Sequence, residues 1–218
     1  MPKSAEDLVA NMRIALLVGI ASAGKDSILR KLMESDDYAR IITTIPRAPR
    51  PNEINGVDYY FINDEIVRQN LLDHKYFETK MVHGRVYGTT TAELERIAGQ
   101  QKIALGDVEV QGVDEYHTVA GDNLTAIFVI PPDYETWQER WLARGEMTPD
   151  EKLRRTNSAV MELDHALKAN YYRFLINDNL DRAAKVADEL IHGRAANYKD
   201  DFARIIAHKL HDDIVKTL

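Results

Sequence analysis

The stretch at 13–34, RIALLVGIASAGKDSILRKLME, decides the fold. Its first part is a short apolar run that ends in glycine, and this predicts a buried strand over 13–19. Its last part carries apolar residues at helical spacing and predicts a helix over 26–34. A strand, a glycine-rich turn and a helix in this order are typical of a phosphate-binding loop.

The turn itself, GIASAGKDSI at 19–28, matches the pattern G-x-x-x-x-G-K-[ST] as far as Lys25. In such a loop the backbone N–H groups and the helix N-terminus face a polyphosphate, and the lysine bridges its terminal phosphates. Asp26 stands where the pattern has a magnesium-binding hydroxyl, and a carboxylate is also a good magnesium ligand. The predicted ATP-binding residues of the loop are Gly19, Ile20, Ala21, Ser22, Ala23, Gly24, Lys25, Asp26 and Ser27.

The bulk composition narrows the class of protein. A chain of 218 residues with 44% hydrophobic residues fits one globular domain, with room for a small lid. The net charge of -7 argues against a nucleic-acid-binding surface, and the lack of cysteine excludes disulfides, zinc–thiolate sites and thiol catalysis. The apolar run at 14–20 is too short to span a bilayer, and the first ten residues do not resemble a signal peptide. We therefore expect a cytoplasmic protein, monomeric or homodimeric, without nucleic-acid or membrane partners.

Further along the chain, predicted strands and helices alternate, which favours an α/β fold with a parallel sheet. The predicted strands lie at 102–110, 124–130 and 172–178, and the predicted helices at 133–145, 148–170 and 180–192.

The segment 40–90 breaks this alternation. It contains a helix at 63–73 with Asn63 as its N-cap, and two consecutive strands at 76–82 and 85–89. This pattern predicts a small inserted subdomain beside the phosphate loop.

The tail at 194–218 carries apolar residues at helical spacing. They predict a helix docked on the core, and a dimer contact is the alternative. The stripe comprises Phe202, Ile205, Ile206, Leu210, Ile214 and Leu218.

Two pairs of charged residues are candidates for a site. Arg47 and Arg50 lie between prolines, which stiffen the segment, and arginine suits phosphate; a solvated loop is the alternative. Asp107 and Glu109 lie two apart on a predicted strand, so both carboxylates are expected on one face; by themselves they are equally typical of a solvated strand end.

Five further segments, in order, resemble the guanylate kinase family, and the resemblance covers about 13–192. It implies a phosphate-loop NTPase sheet with an inserted GMP-binding subdomain and a helical lid. The activity it implies is magnesium-dependent transfer of phosphate from ATP to GMP or dGMP. The segments are TTIPRAPRPNEINGVDYYF (43–61), FETKMVHGRVYGTT (77–90), GDVEVQG (106–112), FVIPPDYETWQERWLARGEMTPDEKLRR (128–155) and LINDNLDRA (175–183).

The resemblance also implies roles for individual residues. The GMP phosphate is assigned to Arg47, Arg50, Tyr59 and Tyr87, and guanine recognition to Glu78, Thr89 and Glu109, with Thr43 at a serine position of the family. Catalysis is assigned to Lys25, Asp107, Arg140, Arg144 and Arg155, magnesium to Asp26 and Asp107, and the adenine side to Asn177.

The expected domain is 1–193, with the GMP-binding insertion at about 43–90, the lid at about 140–157 and a helical extension at 194–218. The loop departs from the family pattern at Ile20, Ser22 and Asp26. Two alternatives remain from the sequence: a binding module of the same fold without catalysis, and a kinase of another small phosphate acceptor.

Overall fold

The computed structural model of the chain describes residues 3–51, 53–82, 84–143, 145, 147–195 and 198–218. Its strands are β1 (Ile14–Val18), β2 (Tyr38–Arg40), β3 (Thr44–Ile45), β4 (Tyr60–Phe61), β5 (Tyr76–Val82), β6 (Arg85–Thr90), β7 (Ile103–Asp107), β8 (Leu124–Ile130) and β9 (Tyr172–Ile176). Its α-helices are α1 (Lys3–Asn11), α2 (Lys25–Leu32), α3 (Asp64–Leu72), α4 (Thr91–Ala98), α5 (Val110–Ala120), α6 (Tyr134–Leu142), α7 (Pro149–Lys168), α8 (Leu180–Ile191) and α9 (Asp200–Val215).

A five-stranded sheet has the order β2-β7-β1-β8-β9. The β2–β7 and β8–β9 pairs are parallel, with Tyr38 opposite Ile103 and Ala126 opposite Tyr172. All five residues of β1 are buried, as expected for a strand covered on both faces. The α/β fold with a parallel sheet, predicted from the alternation of strands and helices, is confirmed.

The chain divides into two compact units. Unit 1 comprises Met1–Ile14, Asp36–Gly106 and Gln111–Leu124, and unit 2 comprises Ala15–Ser35, Asp107–Val110 and Thr125–Leu218.

Unit 1 contains a second sheet of four strands in the order β4-β3-β6-β5. Strands β5 and β6 form an antiparallel hairpin in which Glu78 lies opposite Thr89, next to an irregularity between Tyr76 and Glu78. Helix α3 begins at Asn63, whose side chain accepts a hydrogen bond from the Ile66 N–H, so the predicted cap is confirmed. Helix α4 packs against β6 and α1.

Unit 2 places helices around β1, β8 and β9. Helix α2 packs against α8, and α7 packs against α9. Helix α7 begins as predicted with a Thr-Pro pair, because the Thr148 side chain accepts from the Glu151 N–H and Pro149 occupies the first turn.

The tail forms helix α9, which packs against α7 and against the edge strand β9. The buried stripe differs from the prediction: Ala203, Ala207, Leu210 and Ile214 are buried, while Phe202, Ile205 and Leu218 are exposed. Small alanines face the core here, which lets the helix approach closely.

Polar side chains of the tail satisfy backbone groups of β9. Asp200 accepts from the Phe174 N–H at 2.6 Å, Arg204 donates to the Tyr172 carbonyl at 2.8 Å, and the Tyr198 hydroxyl donates to the Phe174 carbonyl at 2.5 Å. An edge strand whose polar groups are engaged in this way is protected from pairing with another chain.

The structure differs from the predicted elements in one strand end and in several elements that were not predicted. The strand predicted over 102–110 ends at Asp107, and helix α5 begins at Val110, so Glu109 lies on the connection between them. Helices α1 and α5 and the short strands β2 and β3 were not predicted. No helix in the described part of the chain is long and apolar enough to cross a membrane.

Candidate active site

The loop between β1 and α2 has its carbonyl groups engaged by the protein. Lys25 Nζ donates to the Gly19 carbonyl at 2.5 Å and to the Ile20 carbonyl at 3.4 Å. The Ala23 N–H donates to the Ile20 carbonyl at 3.1 Å. Two side chains from elsewhere in unit 2 hold the next carbonyls: Trp137 Nε1 donates to Ala21 O, and Asn177 Nδ2 donates to Ala23 O, both at 2.8 Å.

The amide groups of the same loop are left for another partner. Within the described ranges, the backbone N–H groups of Ala21, Ser22 and Gly24 donate to no protein acceptor. Amides without a protein acceptor at the start of a helix are available to an anion, which the positive end of the helix dipole attracts. Three backbone donors of the loop are thus free of protein acceptors in the described part of the chain.

The backbone conformation requires glycine at two loop positions. Gly19 has a φ of 139°, and a Cβ there would lie 2.2 Å from the Val129 carbonyl oxygen. Gly24 has a φ of 93°, and a Cβ there would lie 2.2 Å from Asn177 Nδ2. Ser22 also lies in the left-handed region, with a φ of 68°, which strains a residue that carries a Cβ.

Ser22→Gly is expected to raise the free energy of unfolding of the ligand-free chain by about 1 kcal/mol, because it relieves the left-handed backbone. It also removes a buried hydroxyl that has no hydrogen-bond partner among the described residues. Urea unfolding monitored by circular dichroism measures the change. Ser22→Ala keeps the Cβ and should gain less, whereas a loss of stability in Ser22→Gly would contradict this account.

A cavity of about 180 Å³ lies along the loop. Its walls combine loop residues with Glu109 from the β7–α5 connection and Glu162 from α7, all within unit 2. Lys25 and Asp26 also line it, so one cation and three carboxylates surround the space next to the unpaired amides. A polyphosphate with a bound divalent cation complements this mixture of charges.

Arg140, one of the predicted lid arginines, is fixed close to the loop by Asn177. Its Nη2 donates to the Asn177 carbonyl at 2.9 Å, while Nη1 is buried without a hydrogen-bond partner in the described residues. Asn177 is itself buried, which suits a residue that joins the loop to Arg140. Arg155 instead pairs with Glu151 on its own helix at 2.5 Å, and Arg144 lies outside the described residues.

A second group of predicted residues lies together in unit 1. Arg47 is stacked against aromatic rings, with its Cζ 5.5 Å from the centre of Tyr59 and 5.4 Å from that of Phe61. The pKa of Arg47 is raised, first by its hydrogen bonds to Glu53 and to a smaller extent by Tyr87. Arg47, Tyr59 and Tyr87 are thus neighbours, as a shared anion site requires, and Arg50 lies exposed on the same loop.

Glu78 is a buried carboxylate on β5, with a residue exposure of 5%. Its Oε1 accepts from the Thr89 N–H at 3.0 Å and from the Thr89 hydroxyl at 2.7 Å. Burial raises the pKa of Glu78, while Thr89 and the nearby charge of Lys80 act in the opposite direction. A Cβ at Gly112 would lie 3.6 Å from Glu78 Oε2 and 2.9 Å from Lys80 Nζ, so these groups approach the same point.

The remaining predicted residues have simpler surroundings. Thr43 accepts the Tyr60 N–H on its carbonyl, and Asp107 is the half-buried last residue of β7.

Sequence reasoning missed two residues that contact the candidate site. Trp137 was not singled out as a site residue; it is buried and stacked on Trp141, and its indole N–H donates to the Ala21 carbonyl of the loop. Glu53 was not singled out, although its carboxylate forms a bidentate ion pair with Arg47. Neither contact follows from a local sequence pattern. Trp137 contacts a loop that is distant in the sequence, and Glu53 reaches Arg47 only because the chain turns between them.

The comparisons with known proteins all indicate the same family. The model of the guanylate kinase family matches residues 11–194. A guanylate kinase of Clostridium perfringens strain 13 is 30% identical to this chain over 82% of both chains. One of Sulfurimonas denitrificans is 31% identical over 88% of this chain and 94% of that protein.

A solved structure is similar in fold. The crystal structure of guanylate kinase from Anaplasma phagocytophilum covers 87% of this chain and 88% of its own, with a TM-score of 0.66 at 20% identity. The tail beyond residue 194 lies outside the family match.

Proposed function

The chain belongs to the guanylate kinase family, whose members phosphorylate GMP using ATP, and we propose that it transfers the γ-phosphate of ATP to GMP, and also to dGMP. The observation that carries the choice of acceptor is the buried carboxylate of Glu78, held in place by Thr89. A carboxylate accepts from both guanine N1–H and the exocyclic amine, a donor pair that adenine does not present.

The phosphate loop supports the donor half of the reaction. Its unpaired amides, the helix start at Lys25 and the cavity beside them suit the triphosphate of ATP. Asn177 and the other loop residues from Gly19 to Ser27 complete the proposed ATP site.

The loop that carries Arg47 and Arg50 supports the acceptor half. Two guanidinium groups and the hydroxyls of Tyr59 and Tyr87 suit the dianionic phosphate of a nucleoside monophosphate. Thr43 and Glu109 are proposed to complete the GMP site.

The chemistry requires alignment and positive charge. An oxygen of the GMP phosphate attacks the γ-phosphorus of ATP in line, the bond to the β–γ bridging oxygen breaks, and ADP leaves with that electron pair. Lys25 is proposed to stabilise the negative charge on the phosphate during its transfer. Arg140, Arg144 and Arg155 are proposed to stabilise its equatorial oxygens. Asn177 holds Arg140 in place for this role.

Magnesium fits the residues that line the loop. The cavity beside the loop is lined by carboxylates, the ligands that Mg²⁺ prefers, but in the described part of the chain no three His, Cys, Asp or Glu side chains are grouped so that they could hold a metal ion by themselves. This suits an ion held by one or two carboxylates together with substrate phosphates and water. Asp26 and Asp107 are the proposed ligands, and the ion would neutralise charge on the phosphates.

The domain limits are likewise proposals: a kinase domain at 1–193, with its GMP-binding insertion at about 43–90 and lid at about 140–157, and an extension at 194–218. The cytoplasmic location and the monomeric or homodimeric state stay predictions from the sequence.

A coupled assay of ADP release tests the function, with GMP, dGMP, AMP, CMP and UMP offered in parallel. We expect turnover with GMP and dGMP alone, and its loss when EDTA removes magnesium. Binding of GMP without turnover of any nucleotide would contradict the proposal and favour a binding module of the same fold. Turnover of another acceptor in preference to GMP would contradict the assignment of Glu78.

A further inference from the structure

The loop that carries Arg47 and Arg50 is tied together by one carboxylate, that of Glu53. Its Oε2 accepts from Arg47 Nη1 at 2.5 Å and from the Arg50 backbone N–H at 2.7 Å, and its Oε1 accepts from Arg47 Nη2 at 2.7 Å. The Glu53 N–H donates in turn to the Arg50 carbonyl at 3.0 Å. Four hydrogen bonds therefore connect Glu53 with both arginine positions.

These contacts leave part of the Arg47 guanidinium available. Nη1 has both protons engaged, by Glu53 and by the Ala48 carbonyl at 2.9 Å, whereas Nη2 shares one proton with Glu53. Nε is buried and has no hydrogen-bond partner in the described ranges. Glu53 therefore engages the Nη1–Nη2 end of the guanidinium and leaves Nε to other partners.

The ion pair between Glu53 and Arg47 is expected to persist at neutral pH. The Arg47 guanidinium lowers the pKa of Glu53 to about 2, so Glu53 is ionised at neutral pH. The side chains are mostly buried, with exposures of 11% for Arg47 and 18% for Glu53, which reduces screening by water. With Arg50 included, the three side chains still carry one net positive charge toward a phosphate.

We propose that Glu53 is a positioning residue for the acceptor phosphate: it holds Arg47 and the Arg50 turn in the arrangement that GMP requires. This inference rests on the proposed function. An unrestrained arginine loses rotamer freedom when it binds a ligand, and a prior contact removes that cost from the binding step. Glu53 acts through the two arginines and is not itself expected to touch the nucleotide.

Glu53→Gln tests the proposal because it keeps the shape of the side chain and removes its charge. We expect the KM for GMP to rise about tenfold, while kcat at saturating GMP and the KM for ATP change less than about twofold. Titration calorimetry with GMP alone should show the same loss of affinity. Glu53→Asp restores the charge at shorter reach and should recover part of it.

Glu65→Gln is the matched control, since Glu65 is an exposed residue of α3 in the same unit and should behave as the wild type. An unchanged GMP affinity in Glu53→Gln would overturn the proposal. Tighter GMP binding would overturn it as well, because it would identify the carboxylate as a competitor of the phosphate. If Glu53→Gln does not fold, the affinity of Glu53→Asp decides between the same outcomes.

This test is separable from that of the proposed function. Lack of GMP turnover by the wild type would refute the function, whereas the calorimetric comparison of wild type and Glu53 variants still decides the role of Glu53.

Discussion

Lys25→Met is expected to lower kcat on the order of 10³-fold or more while GMP still binds, because it removes the cation proposed to stabilise the charge on the transferred phosphate. Methionine keeps the length and apolar stem of lysine. In the structure, Lys25 Nζ donates to the Gly19 and Ile20 carbonyls, so the ammonium lies over the loop. Steady-state ADP release and calorimetry with GMP measure the two quantities.

Lys31→Ala is the control for this experiment. Lys31 lies on the same helix and pairs with Asp181 on the surface, where an ion pair contributes little. A Lys25→Met protein that loses GMP affinity to the same extent as kcat would contradict the assignment, since the lysine would then support the fold of the site as a whole.

The parts of the fold that the sequence predicted have local causes. The caps at Asn63 and Thr148 depend on a side chain and an N–H three residues later, and both formed as expected. The phosphate loop is local in the same sense, because Gly19, Gly24 and Lys25 fix its backbone within one turn.

The parts that were missed depend on distant contacts. Strand β3 has two residues and exists because it pairs with β4 and β6, a relation that no short pattern contains. Helix α5 carries Gly112 near its start, which lowers helix propensity, and in the folded chain the end of the Lys80 side chain lies over this glycine. Glu53 and Trp137 were missed for a similar reason, because their contacts with the candidate site form only in the folded chain.

In the proposed GMP site, Glu78 makes guanine recognition depend on pH. Burial raises its pKa, so the proton competes with guanine at a higher pH than at an exposed glutamate. GMP affinity is therefore expected to be full at alkaline pH and to fall as the pH drops through the raised pKa. Stability has the opposite sign: the contribution of the protonated form is complete below the ordinary value of 4.5 and is lost as pH rises through the folded pKa.

Glu78→Gln is expected to raise the KM for GMP about 10- to 100-fold, because a hydrogen bond to a charged group contributes about 1.5–3 kcal/mol. The preference for GMP over AMP should fall with it, and the acid limb of kcat/KM for GMP should disappear, since the amide does not titrate. The measurement is kcat/KM for both nucleotides between about pH 5 and 8, with exposed Glu95→Gln as the control. An unchanged preference for GMP in Glu78→Gln would remove this residue from base recognition. A retained acid limb would assign the pH dependence to another group.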